Sequence, residues 1–179
     1  MKKRVLIALV VVLALAATAS MVWAKGGGPT GPSGKSNTGH LYLYEKDPST
    51  WVIVDGGAWG KMKYNLSGPT FDFVFNGHEL NPGGGYTLIY YPDKTGNPWP
   101  RVDVICLGSG TANGGGNVHI RDSADTGDLP DSTVDINPGA KIWLVESGAV
   151  DCDTNTMSGW NPTEYLFEYD LITYDDTDV

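Results

Sequence analysis

Only two cysteines and three histidines occur in the 179 residues, and 12 Lys plus Arg stand against 21 Asp plus Glu. So few imidazoles and thiols leave no zinc centre unless His40, His78 and His119 all converge. The shortage of basic residues argues against nucleic acid and anionic membranes, both of which bind clustered Lys and Arg. No G-x-S-x-G elbow occurs, and His78-Glu79 runs on into Leu80-Asn81-Pro82 rather than completing H-E-x-x-H. Helical periodicity is missing too. Gly and Pro make up about 20% of the chain, against roughly 12% in average usage. That is too much punctuation for a helical bundle and suits short strands joined by turns.

One apolar run stands out, residues 5–17, behind Lys2, Lys3 and Arg4. Its 13 residues rise only ~20 Å as a helix, against ~30 Å of bilayer hydrocarbon. With Val22 and Ala24 at the −3 and −1 positions, residues 1–24 read as a secretory signal peptide. Removing it takes three basic residues from a net charge of −9 and leaves −12. Outside the cell, and with no membrane insertion after cleavage, an even cysteine count predicts a Cys106–Cys152 disulfide. Residues 25–39 (KGGGPTGPSGKSNTG) lack an apolar anchor and read as a flexible linker.

From residue 40 onward the hydrophobic period is two. Leu41 and Leu43 alternate with Tyr42 and Tyr44, Phe71, Phe73 and Phe75 with Asp72 and Val74, and Val118 and Ile120 with His119 and Arg121. Strands are also expected over 51–55, 61–66, 86–91, 101–107, 140–146 and 164–174. The last should place Tyr165, Phe167, Tyr169 and Leu171 on one side. Residues 40–179 therefore predict one all-β domain, an antiparallel β-sandwich of about nine to ten strands, immunoglobulin- or fibronectin III-like or a jelly roll.

The stretch from Leu80 to Leu88, LNPGGGYTL, resembles the tyrosine corner of fibronectin type III and immunoglobulin-like domains. In that resemblance Leu80, Pro82 and Gly83 turn the chain between sheets, and the hydroxyl of Tyr86 satisfies a backbone group upstream. More broadly, GHLYLYEKDPSTW, GAWGKMKYNLSGPTFDFVFNGHEL, YTLIYYPD, ICLGSGTANGGGNVHI and GWNPTEYLFEYDLITYDDTD look like a secreted domain that recurs in methanogenic archaea and environmental bacteria. That resemblance implies an extracellular or cell-surface location and carries no activity.

Two residue sets are candidates for binding. Trp51, Trp59 and Trp99 lie in or beside turns, where indoles stack on sugar faces, so a cell-surface glycan is one candidate partner and a protein another. The plainer reading folds the loop indoles back over the core and has Trp51, Trp143 and Trp160 cap its ends. Asp151, Asp153 and Asn155 form D-x-D-x-N, oxygen ligands suited to a structural calcium, although Thr156 and Pro162 break the EF-hand pattern. Aspartates favouring turns are the plainer alternative. Glu45, Glu79, Glu146, Glu164 and Glu168 are the acids from which a glycosidase pair would be drawn, with Glu168 expected to face solvent. The sequence thus reads first as a secreted, non-catalytic structural or adhesive module with no cofactor beyond that calcium. A carbohydrate-binding module is the second reading and a secreted hydrolase the third.

Overall fold

The computed structural model describes residues 36–94, 96 and 99–178; the signal segment and residues 25–35 of the linker lie outside the described residues. The strands run, in chain order, β1 (Gly39–Tyr44), β2 (Trp59–Tyr64), β3 (Ser67–Gly68), β4 (Phe71–His78), β5 (Gly85–Tyr90), β6 (Ile105–Thr111), β7 (Val118–Ala124), β8 (Ile142–Glu146), β9 (Val150–Asp151), β10 (Thr156–Met157), β11 (Phe167–Glu168) and β12 (Asp175–Asp176). One antiparallel sheet has the order β11-β1-β2-β4-β7 and packs on a second of order β6-β5-β8. The chain is an all-β sandwich.

The period-two pattern explains the main core. Leu41, Leu43, Met62, Phe71, Phe73, Phe75, Val118 and Ile120 point inward from the larger sheet, and Tyr86, Leu88, Tyr90, Ile142 and Leu144 meet them from the smaller. Their alternate neighbours His40, Tyr42, Lys63, Asn76, His119 and Arg121 are exposed. Packing is tight enough to dictate glycine at Gly60, where a Cβ would lie 2.2 Å from the ring of Phe75.

The smaller sheet is buried on both faces, which alternation alone does not predict. Ile89, Trp143 and Val145 turn away from the main core into a second one, covered by Ala149, Met157, Tyr165 and Phe167. Residues 149–167 form this cover. It is fastened by the β9–β10 hairpin, by backbone hydrogen bonds exchanged between Leu144 and Leu166 at 2.9 Å each way and between Arg101 and Met157 at 2.9 and 2.8 Å, and by the Cys106–Cys152 disulfide (Cα–Cα 5.6 Å).

Several expected boundaries move. Residues 51–55 form no strand; they make one isolated bridge, Ile53 with Lys46, framed by Asp47 N–H to Val52 O (2.9 Å) and Val54 N–H to Glu45 O (3.1 Å). The expected strand 101–107 begins at Ile105; before it Asp103 has a positive φ and Val102 is exposed. The expected strand 164–174 breaks after Glu168, so Phe167 is buried, Tyr169 is exposed, and Ile172 and Tyr174 take up the inward face. The break lets the chain pass from the edge of the larger sheet to its bridge with Ala140. The linker also ends earlier than expected. Asn37 Oδ1 accepts the backbone N–H groups of Leu66 (3.1 Å) and Ser67 (3.0 Å), and its Nδ2 donates to Ser67 O at 2.7 Å. A polar clasp does here what an apolar anchor does elsewhere.

The corner at Leu80–Tyr86 has the geometry its residues imply. Leu80 is buried, Gly83 takes φ +79°, and Asn81 N–H donates to Tyr86 Oη at 3.1 Å. Tyr86→Phe is therefore expected to destabilise the domain by about 1 kcal/mol, one hydrogen bond with a donor left unpaired. Urea unfolding checks this, and an unchanged midpoint would show the corner to be decorative.

Candidate functional site: an aromatic cleft

Three indoles emerge together beside the second core. Trp51, Trp99 and Trp160 are 50%, 48% and 49% exposed, whereas Trp143 beneath them is 6% exposed. Trp160 sits centrally, its ring centroid 6.5 Å from Trp51, 6.2 Å from Trp99 and 6.1 Å from Trp143. Below, Tyr91 stacks on Trp143 at 3.8 Å, and Trp143 meets Phe167 edge-on at 5.0 Å.

Local structure holds each indole. Asp47 Oδ1 accepts the N–H groups of Ser49 (2.9 Å) and Thr50 (3.0 Å), and those bonds, with the Ser49 hydroxyl foremost, hold its carboxyl below the usual range. The turn so formed ends on Trp51, whose φ of 59° is left-handed. For a bulky side chain that costs on the order of 1–3 kcal/mol, strain of a kind that gathers at functional sites. Ser158 and Gly159 both donate to Ala149 O at 3.0 Å, setting Trp160 in place. A Cβ on Gly159 would lie 2.7 Å from Ala149 Cα, so only glycine fits before this indole.

The indoles frame two hollows that share Tyr91 and Trp160. One of about 420 Å³ is lined by Tyr91, Trp99, Arg101 and Trp160; the other, about 330 Å³, lies between Trp51, Trp160 and a ring of charged groups. Arg101 Nε donates to Tyr91 Oη at 2.6 Å with its guanidinium 5.3 Å from the ring centre. Lys141 pairs with Asp93 at 2.6 Å, and the hydrogen bond from Lys141 leads the causes that hold the Asp93 carboxyl below its usual value. Lys46 Nζ donates to Glu168 O at 2.8 Å. Largely apolar walls with a few fixed polar groups are the usual make-up of a small-ligand site.

Glu168 does not face solvent as its strand pattern suggests. Its carboxylate accepts from Trp143 Nε1, and burial pushes its pKa up despite Lys46 and Lys141 nearby. The folded protein therefore holds that proton more tightly than the unfolded chain. The stability this contributes is complete below the ordinary glutamate range and is lost as pH rises through the raised value. Glu168→Gln keeps an acceptor for Trp143 and removes the titration. Between acid and neutral pH the variant is expected to lose less stability than wild type in thermal melts; parallel curves would contradict this.

The remaining candidates lie elsewhere. Trp59, at the start of β2, packs against His78 with ring centroids 4.5 Å apart and planes tilted by 31°, and lines neither hollow. Asp151 Oδ1 accepts the N–H groups of Asp153 (3.0 Å) and Thr154 (3.3 Å), and bonding led by the Thr154 hydroxyl lowers its pKa. Asn155 takes φ 52°, so Asp151, Asp153 and Asn155 form the turn of the β9–β10 hairpin. Among the described residues, no three His, Cys, Asp or Glu side chains gather as metal ligands. Of the five acids from which a catalytic pair would be drawn, Glu45, Glu79 and Glu164 border a hollow of about 210 Å³; Glu45 Oε2 there accepts Ala58 N–H at 2.9 Å, and Glu164 accepts from the Asn81 amide. Glu146 instead accepts from Asn161 Nδ2 at 2.9 Å.

Trp160, Tyr91 and Arg101, with Lys46, Asp93 and Lys141 around the second hollow, are members that sequence reasoning missed. A faint signal was there: Gly159-Trp160-Asn161-Pro162 has the same turn-borne indole as Trp51 and Trp99. Among the described residues no helix is long and apolar enough to cross a membrane. No known family model, curated protein or solved structure matches the chain.

Proposed function

We propose that the protein is a secreted, non-catalytic adhesion module of the extracellular space or cell surface, and that it holds carbohydrate in the cleft of Trp51, Trp99 and Trp160. The observation that carries this reading is the grouping of three half-exposed indoles around two hollows that share Tyr91 and Trp160, over a buried, stacked Tyr91–Trp143 floor. A contiguous apolar patch rimmed by charge marks an interaction site. Sugars match it chemically. The C–H face of a pyranose covers an indole, while its hydroxyls exchange hydrogen bonds with groups such as Arg101, Asp93, Lys141 and Glu168. The groups are already held by their neighbours, so little ordering entropy is lost on binding.

The test is a panel of soluble oligosaccharides and insoluble polysaccharides presented to the protein, with and without calcium, read by tryptophan fluorescence and pull-down. Saturable binding supports the reading. A flat response across the panel contradicts it and turns the cleft into a protein-docking surface, a use that Trp and Arg side chains also serve. Dependence on calcium would return attention to Asp151, Asp153 and Asn155. Hydrolysis of a bound sugar would favour the hydrolase reading and point to Glu45, Glu79 and Glu164.

A further inference from the structure

The net charge conceals a pronounced asymmetry. The register of β1, β2, β4 and β7 aligns their outward residues in rows: Tyr42, Lys61, Asn76 and His119 in one, and His40, Lys63, Val74 and Arg121 in the next. All three histidines of the chain lie on this face, with three of the seven basic side chains among the described residues. Of the 21 acidic residues, only Asp72 occupies an outward position on these four strands. Asp122 pairs with Phe73 in the register, its Cβ 3.0 Å from where a Cβ on Gly108 would stand, but it too lines the groove on this face.

The face is shaped as well as charged. A groove of about 560 Å³ crosses it, lined by Lys63, Val74 and Arg121 and also by Asn65, Asp72 and Asp122, so its walls are mixed in charge and offer hydrogen-bonding groups to sugar hydroxyls. Next to it the rings of Tyr42 and Tyr44 stack at 6.3 Å, and Lys61 Nζ stands 5.3 Å over Tyr42. Asn76 Oδ1 and His119 Nδ1 share a hydrogen bond of 2.8 Å. Among the described residues Lys61, Lys63 and Arg121 enter no ion pair.

We infer that this outer sheet face binds an anionic polysaccharide, a chain whose carboxylate or sulfate groups meet Lys61, Lys63 and Arg121 while its sugar rings lie along Tyr42, Tyr44 and the groove. The site is separate from the aromatic cleft and does not depend on the function proposed for it. Among the described residues the three cations have no ion-pair partner and call for an anionic occupant. They are few for a nucleic acid held without sequence preference by six to ten phosphate contacts. A flexible chain that carries one anion per sugar or per few sugars suits the charge, and its hydroxyls suit the mixed polar groups of the groove.

The purified protein is applied to immobilised polygalacturonate, dextran sulfate and neutral dextran over a range of salt concentrations. Retention on one or both anionic matrices but not on dextran is expected, with affinity falling as salt rises. The two anionic matrices separate carboxylate from sulfate as the group recognised. The triple variant Lys61→Glu, Lys63→Glu, Arg121→Glu changes only solvent-facing positions and should fold normally by circular dichroism. Its binding should drop at least tenfold, while Trp160→Ala should bind the anionic matrix like wild type. The inference is overturned if the triple variant binds as wild type does, or if dextran retains the protein equally. It is also overturned if a single-stranded oligonucleotide outcompetes the polysaccharide, or if the triple variant abolishes a self-association seen in the wild type by sedimentation. A misfolded triple variant is replaced by Lys63→Gln with Arg121→Gln, judged by the same criteria.

Discussion

Trp160→Ala is expected to weaken binding of an oligosaccharide in the cleft by about 30-fold, the ~2 kcal/mol that marks a central aromatic hot spot. Trp160 should matter most because it is the shared wall. Both hollows end on it, and it touches Trp51, Trp99, Trp143, Tyr165 and Phe167. Its loss also takes packing from Tyr165 and Phe167, so stability has to be followed separately. Trp99→Ala provides that control. Trp99 meets the cluster through Trp160 at 6.2 Å and is half-exposed, so its removal should cost affinity with little change in melting temperature. Trp59→Ala, outside the cleft, should leave affinity as it was. Titration by fluorescence or calorimetry separates the three variants, and equal affinities for all of them would remove the cleft from the binding reaction.

Breaking the Cys106–Cys152 bridge should produce the largest loss of stability. The bridge spans 46 residues, and the chain-entropy treatment gives about 4 kcal/mol for a loop of that length. In a domain of this size that lowers the melting temperature by about 10 °C. The position of the bridge ties this to function. Cys152 sits in the hairpin turn that begins the cover over the second core, and Trp160 stands between that hairpin and β11. Released at Cys106, the cover is held by short strands, by the Leu144–Leu166 pair and by the bridge of Met157 to Arg101 with Val104 N–H on Asn155 O, so Trp160 should loosen in its relation to Tyr91 and Trp143. Melts of Cys106→Ser/Cys152→Ser, with sugar titrations below the melting point, test both consequences. A fall of under 2 °C would show the cover to be self-sufficient.

How much of this could be read from the sequence depends on how local each feature is. The alternation in β1, β4 and β7 gave the buried and exposed faces residue by residue, because a half-buried strand encodes both faces in two positions. The tyrosine corner and the disulfide were also legible, one from a local motif and the other from an even count. The second core was not. Ile142, Trp143, Leu144 and Val145 are all buried, and that unbroken apolar run was the trace of a strand covered on both sides. Which segment covered it depended on tertiary closure between Leu144 and Leu166. For the same reason the sequence puts Trp59 in the candidate binding set and leaves Trp160 out of it. Each is an indole beside a turn, and only the strand register, which sets Trp59 opposite His78, separates them. The basic face was hidden by summation: a net charge says nothing of which residues share a side of a sheet.

The most direct test follows the indole N–H signals in a nitrogen-15 spectrum while the best oligosaccharide from the panel is added. The cleft predicts that Trp51, Trp99 and Trp160 shift together and saturate at one dissociation constant, with Trp59 unmoved. A shift confined to Trp59, or saturable binding that leaves all three cleft indoles in place, would contradict the account.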